Sequence, residues 1–203
     1  MRIIAGEFGG RKILPPLTET TRPITDRAKQ SLFDTLADRV DGASVLDAFA
    51  GTGSMGLECL SRGARRVVFV ERDRGALLCL RKNIVALGIE ERSLVLPIDA
   101  YRAIRHSALM NGGSEPIDLA FIDPPYAHTE PGPEFARLQR MLAELAAQAL
   151  APGGLISLRH PTRVSIKPLI PSFLHTAREL TYGSMRISWL MRDLTGSQDS
   201  PAR

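Results

Sequence analysis

SVLDAFAGTGSMGLECLSRG, residues 44–63, decides the fold. A short run rich in apolar residues meets a turn with three glycines, and the turn opens into apolar residues at helical spacing that Gly63 closes. Strand, glycine turn and helix in that order begin a βα unit. Within it, Gly51-Thr52-Gly53-Ser54-Met55-Gly56 matches G-x-G-x-x-G, a loop whose glycines let backbone approach a ligand and whose helix N-terminus offers unpaired N–H groups to an anion. The loop points to a nucleotide-like cofactor without saying which.

The same alternation continues downstream. RVVFVE (66–71), SLVLPID (93–99), IDLAFID (117–123) and LISLRH (155–160) read as strands. Between them lie a helix over 73–88 stopped by Gly88, a short polar helix through His106, and an Ala/Leu-rich helix over 134–150 halted by Pro152-Gly153-Gly154. Strands alternating with helices predict a mostly parallel sheet covered on both faces. After Pro171 the pattern changes to two strands, 172–183 and 184–192, joined at Tyr182-Gly183 like a hairpin. An antiparallel pair at the end of a parallel sheet separates this chain from the dinucleotide-binding branch of doubly wound folds. The expected fold is α/β, a doubly wound seven-stranded sheet with a small N-terminal hairpin and helix.

Upstream, two short apolar runs flank Gly6, Gly9 and Gly10, which suggests a hairpin, and residues 15–23 read as an irregular connector. A helix starting at Thr25 or Asp26 carries Ala28, Leu32, Phe33 and Leu36 on one face. Residues 1–29 hold Arg2, Arg11, Lys12, Arg22, Arg27 and Lys29 against Glu7, Glu19 and Asp26, six minus three, so +3 of the chain's net +4 lies there. A localised basic segment suits a polyanionic partner, although a solvated basic face would look the same. The chain divides into a basic hairpin, connector and helix over residues 1–40, a main domain over 41–193, and a polar tail over 194–203 expected to be disordered.

With 203 residues, 44% hydrophobic and 24% charged, the sequence excludes disordered and fibrous classes. It shows no signal peptide and no run near the ~18 apolar residues of a membrane span, so a cytoplasmic location is expected. Cys59 and Cys79 lie in apolar helical contexts and are expected to be reduced core residues. The four histidines show no ligand spacing, so no metal is expected. His128 and Arg62, Arg65 and Arg66 read as solvated, and Trp189 as core.

Asp47 separates the cofactor candidates. A carboxylate four residues before Gly51 would repel a pyrophosphate but suits an ammonium group, which S-adenosyl-L-methionine carries. Glu71, twenty residues beyond Gly51, has the position from which an acid accepts ribose hydroxyls. Asp99 could receive an adenine amino group or order the loop beside it. These three acids, at three successive strand ends, are expected to line one crevice.

At the fourth strand end stands Asp123-Pro124-Pro125-Tyr126. Neither proline has an N–H, and each restricts the residue before it, so the turn is stiff and offers oxygen acceptors without competing donors. An acid beside such carbonyls suits an NH2 group. D-P-P-Y after D-x-F-x-G-x-G resembles the S-adenosylmethionine-dependent methyltransferases of exocyclic base amines. MRIIAGEFGGRKI, TRPITDRAKQSLFDTL, VLDAFAGTGSMGLECLSRGA and FIDPPY, in this order, resemble the bacterial 16S rRNA guanine-N2 methyltransferases, with weaker similarity at TYGSMRISWL.

A monomer is expected, and the resemblance implies that it methylates one guanine of 16S rRNA, on an assembling small subunit. It implies catalysis by Asp123, Pro124, Pro125 and Tyr126, with the tyrosine stacking on an extruded base. Cofactor residues would be Asp47, Phe49, Gly51, Thr52, Gly53, Glu71, Arg72, Asp99 and Ala100, and RNA residues Arg2, Arg11, Lys12, Arg22 and Arg27. The sequence departs from the family at Gln30, where an acid is usual, and at Thr181, where a basic residue is usual. Rival readings are an adenine-N6 methyltransferase, a dinucleotide-binding oxidoreductase, and a non-catalytic RNA-binding assembly factor.

Overall fold

The computed structural model describes residues 1–15, 24–106, 109 and 115–192. Seven strands form one sheet in the order β3-β2-β1-β4-β5-β7-β6. β1 (Ser44–Ala48), β2 (Arg66–Val70), β3 (Ser93–Leu96), β4 (Ile117–Ile122) and β5 (Leu150–Pro161) run parallel. β6 (Leu174–Tyr182) and β7 (Met185–Arg192) form the expected antiparallel pair, and β7 lies between β5 and β6. Chain order reverses between β1 and β4, so their carboxyl ends diverge at a switch point where ligands of open α/β sheets bind.

Every residue of β1 is buried, because both faces of the sheet are covered. Leu46, Val68, Ala120 and Ile156 face α4 (Ala100–Ala103) and α5 (Pro133–Gln148), whereas Val45, Val67, Phe69 and Leu119 face the N-terminal segment, α1 (Asp26–Leu36), α2 (Ser54–Ser61) and α3 (Arg74–Leu87). The α1 helix starts where Thr25 Oγ1 accepts the Ala28 N–H. It buries Leu32, Phe33 and Leu36, each worth roughly 1.5–3 kcal/mol of apolar transfer.

Three expectations need adjusting. The helix expected through residue 150 ends at Gln148, and Pro152-Gly153-Gly154 lies inside β5 rather than before it. Ile117 pairs with Leu150 and Leu119 with Leu155, so a bulge absorbs the turn-forming triplet, with Gly153 at φ +75°. The polar helix toward His106 is only the four residues of α4. The N-terminal hairpin carries a single bridge, Arg2 to Lys12, and is held mainly by α2.

Glu58 of α2 is the anchor. Its carboxylate accepts the Ile4 and Ala5 N–H groups at 2.7 and 3.1 Å, while Ser61 Oγ accepts the Phe8 N–H at 2.9 Å. Lys29 lies 3.3 Å from Glu58, and both side chains are almost fully buried. The ammonium also donates to the Arg2 carbonyl, and burial pulls its pKa down against the pull of Glu58. Lys29 is therefore structural and leaves the basic surface that the sequence assigned to it. Gln30, the family departure, donates to Asp34 one turn on. Arg62, expected in solvent, pairs with Glu58 at 2.8 Å and lies 4.9 Å over the Phe33 ring. The tail and Arg22 lie outside the described residues.

Candidate active site

At the carboxyl ends of β1, β2 and β4 is a cleft of about 370 Å³. Phe49, Gly51, Glu71, Arg72, Asp99, Ala100, Asp123 and Pro125 line it, as the sequence expected. Asp47, Thr52, Gly53, Pro124 and Tyr126 do not. Asp47 is thus a correction to the picture of three acids on one wall: it is 2% exposed and lies beneath the cleft, where its carboxylate accepts the Gly56 N–H at 2.9 Å. Burial pushes its carboxyl up to about 7, with the charges of Asp123 and Glu71 adding to the rise and the Gly56 bond opposing it. A carboxylate so starved of solvation would gain from an adjacent cation.

The glycines divide the labour. Gly51 adopts φ +56° in open space, and its N–H donates to Glu71 at 2.8 Å. Gly56 serves packing instead, since a Cβ there would lie 2.3 Å from the Phe69 ring. Glu71 accepts two further N–H bonds, from Arg72 and Asp73, each at 2.7 Å, and so fixes the turn after β2. Asp99 orders its own loop. It accepts the Tyr101 N–H at 2.8 Å and lies 3.2 Å from both Arg72 and Arg137. Partial burial works against its ionised form, but that N–H bond and the two guanidiniums outweigh it and hold the carboxyl below its ordinary value.

One wall is aromatic, and beyond Phe49 it was not foreseen. Phe49 holds a left-handed φ of +65°, an uncommon geometry for a residue with a Cβ, and presents its ring edgewise to Tyr101 at 5.5 Å. The Tyr101 hydroxyl is 2.8 Å from His128 Nδ1, and Arg137 covers the other side of the tyrosine at 4.4 Å. His128 is therefore half-buried against the cleft rather than solvated, and burial lowers its pKa toward the neutral form.

The acceptor turn holds a second residue that sequence reasoning missed. Arg159, on β5, lies with Nε 2.6 Å from Asp123 Oδ1. The contact is an ion pair without hydrogen-bond alignment, because neither atom gains a directed bond. Burial raises the Asp123 carboxyl and Arg159 opposes the rise. The guanidinium also lies 5.9 Å from the Tyr126 ring centroid. Cross-strand register brings Arg159 here, one residue past the Ile122–Leu158 pair, and no local motif announces it.

The residues expected to meet RNA lie elsewhere. Arg2 pairs with Asp26 at 2.7 Å, and Arg11 donates to the Ala86 carbonyl in the last turn of α3. That turn is about 20 Å along the helix from its cleft end. Lys12 and Arg27 are exposed.

A family model described as conserved hypothetical protein 95 matches residues 1–191. YlbH of Bacillus subtilis, provisionally named an rRNA methyltransferase, is 33% identical over 183 residues, 90% of this chain and 94% of that protein. Ribosomal RNA small subunit methyltransferase D of Escherichia coli is 37% identical over 126 residues, 62% of this chain and 60% of that protein. The solved structure of yhhF from Escherichia coli, provisionally titled a methyltransferase, superposes with a TM-score of 0.76 at 29% identity and covers 95% of this chain and 98% of its own.

Proposed function

Because the chain belongs to the conserved hypothetical protein 95 family and is a methyltransferase with rRNA-modifying relatives, we propose that it methylates the exocyclic N2 amine of one guanine in 16S rRNA, using S-adenosyl-L-methionine. The observation that carries the reading is the pairing in one cleft of Glu71 and Asp99, on the cofactor side, with Asp123 on the acceptor side.

The residues present fit that cofactor. Glu71 faces the cleft, where Oε2, which accepts only the Gly51 N–H, can take a ribose hydroxyl, the Phe49 and Ile98 side chains offer apolar walls for a base, and a cation above Asp47 would favour its ionised form. When bound, S-adenosyl-L-methionine supplies a methyl group made electrophilic by its sulfonium. The chain's own residues prepare the nucleophile. A guanine amine has its lone pair delocalised into the ring, and acceptor bonds from Asp123 and the Pro124 carbonyl would favour a pyramidal nitrogen whose lone pair points out. Its proton becomes acidic as positive charge develops on nitrogen, and the Asp123 carboxyl, raised by burial, is suited to receive it. Acceptors fixed in place before charge develops need no reorganisation during reaction. Tyr126, four residues past the end of β4, would stack on the extruded base, a contact worth ~1 to 3 kcal/mol. Lys12 and Arg27, exposed within residues 1–40, are proposed RNA contacts.

Labelled S-adenosyl-L-methionine offered with unmethylated 16S rRNA, small subunits and DNA tests the proposal. Label on guanine N2 of one 16S position is expected. Label on adenine N6, on DNA, or on nothing would overturn it.

A further inference from the structure

A wider cavity, about 700 Å³, opens between the sheet face of β5, β7 and β6 and the segment over residues 162–170. Four cations line it, Arg163, Lys167, Arg178 and Arg186, against one carboxylate, Glu179. That acid is already occupied, 3.6 Å from Arg186 and accepting the Ser188 hydroxyl at 3.0 Å, with Ser188 in turn 2.9 Å from His160 on the buried floor. Lys167 and Arg178 meet no carboxylate within ion-pair distance among the described residues, and Arg178 is held 5.8 Å over the Trp189 ring. The cavity therefore keeps an excess of positive charge that the fold does not neutralise.

Its place relative to Asp123 gives that charge a use. Arg159 pairs with Asp123, and His160, the next residue on β5, lines the cavity from the opposite face of the strand. Arg163 is ion-paired with Glu130, four residues after Tyr126. The cavity thus begins where the acceptor turn ends. By contrast, Arg2 and Arg11 of the N-terminal segment already have partners, Arg11 at the far end of α3.

We propose that this cavity binds the phosphodiester backbone of the rRNA strand flanking the target nucleotide. Cations spread over the 162–170 segment, β6 and β7 match an extended polyanion better than a compact one, and guanidiniums and an ammonium position nucleic acid by its phosphates without reading sequence. The inference rests on the rRNA methyltransferase reading given above.

The test compares the wild-type chain with a Lys167→Gln/Arg178→Gln variant, both side chains being exposed. Binding to naked 16S rRNA is measured over a salt series without cofactor, and methyl transfer is measured separately. The variant should bind RNA on the order of tenfold more weakly, with a log–log salt slope shallower by about 1.5. KM for RNA should rise while kcat at saturating RNA and cofactor binding stay unchanged. Equal affinity and equal salt slope would overturn the proposal even if the wild type methylates guanine N2. Weaker binding by the variant, with a wild type that methylates nothing, would support the cavity and sink the functional reading instead. Weakening seen only on protein-bearing subunits, not on naked RNA, would assign the cavity to a protein contact and overturn it.

Discussion

Asp47 in β1 and Asp123 just past the end of the neighbouring β4 both have carboxyls raised by burial, yet only Asp123 has a cationic partner. Asp123→Asn keeps the size of the side chain and removes the charge that should meet the developing cation. Methyl transfer should fall on the order of 10²–10³-fold, with cofactor affinity within about twofold. Kinetics beside equilibrium binding would check this, and retained turnover would remove Asp123 from the reaction. For Asp47 the sign follows from its rise from 3.8 to about 7. Between those values the folded protein holds a proton that the unfolded chain has lost, so stability falls as pH rises through this window and stays lower above it. Asp47→Asn can still accept the Gly56 N–H and should lack that loss. Melting of cofactor-free protein from pH 5 to 8 should therefore steepen for wild type relative to the variant, and parallel curves would refute the assignment. The position of Asp47 was legible from the glycine loop, but its depth was not, because a strand covered on both faces looks the same whether its acid points at a ligand or into packing. Arg159 was illegible for a different reason: its partner is 36 positions away and meets it only through the β4–β5 register.

Elements here are held by single side chains as much as by apolar area. Glu58 joins the N-terminal segment, α1 and α2 through Ile4, Ala5, Lys29 and Arg62. Replacing it by Gln leaves the Lys29 ammonium buried without a counter-charge, which typically costs ~3–5 kcal/mol. Glu58→Gln should lower the denaturation midpoint and speed hydrogen exchange at residues 3–5 more than in the sheet. Uniform exchange changes would mean that Glu58 does not anchor the segment. Gly56→Ala tests the seating of α2 on β2, since its methyl would meet Phe69 and Val67. A loss of about 1–3 kcal/mol is expected from overpacking, read from urea unfolding. The glycine pattern made the βα unit legible, and the start of α1 was legible to within one residue, Thr25 or Asp26, with Thr25 the cap. The Glu58 anchor was not visible, because an acid at a helical position reads as solvated until the segment that covers it is in place. Pro152-Gly153-Gly154 misled in the opposite direction: local turn preference is overridden when a neighbouring strand can absorb the extra residues as a bulge.

At the scale of the molecule, the alternation of strands and helices was enough to give a doubly wound sheet, and the change of period after Pro171 gave its antiparallel end. What periodicity could not give was the neighbour of each strand, because burial on both faces erases the alternation that identifies an edge. The order β5-β7-β6 has a consequence for how the chain comes into being. During synthesis β6 emerges before the strand that will separate it from β5, so the open side of β5, a strand buried along most of its length, must wait for residues 185–192. A ribosome paused at residue 184 would carry a chain with the glycine loop and acceptor turn complete but the sheet unclosed. Such a chain exposes a row of unpaired backbone N–H and C=O groups, a template for association with other chains. Truncation after Ser184 should therefore give aggregated protein, and co-expression of a peptide spanning 185–192 should restore some solubility. A soluble, monomeric truncation would mean that β5 is protected by other means until its last neighbour arrives.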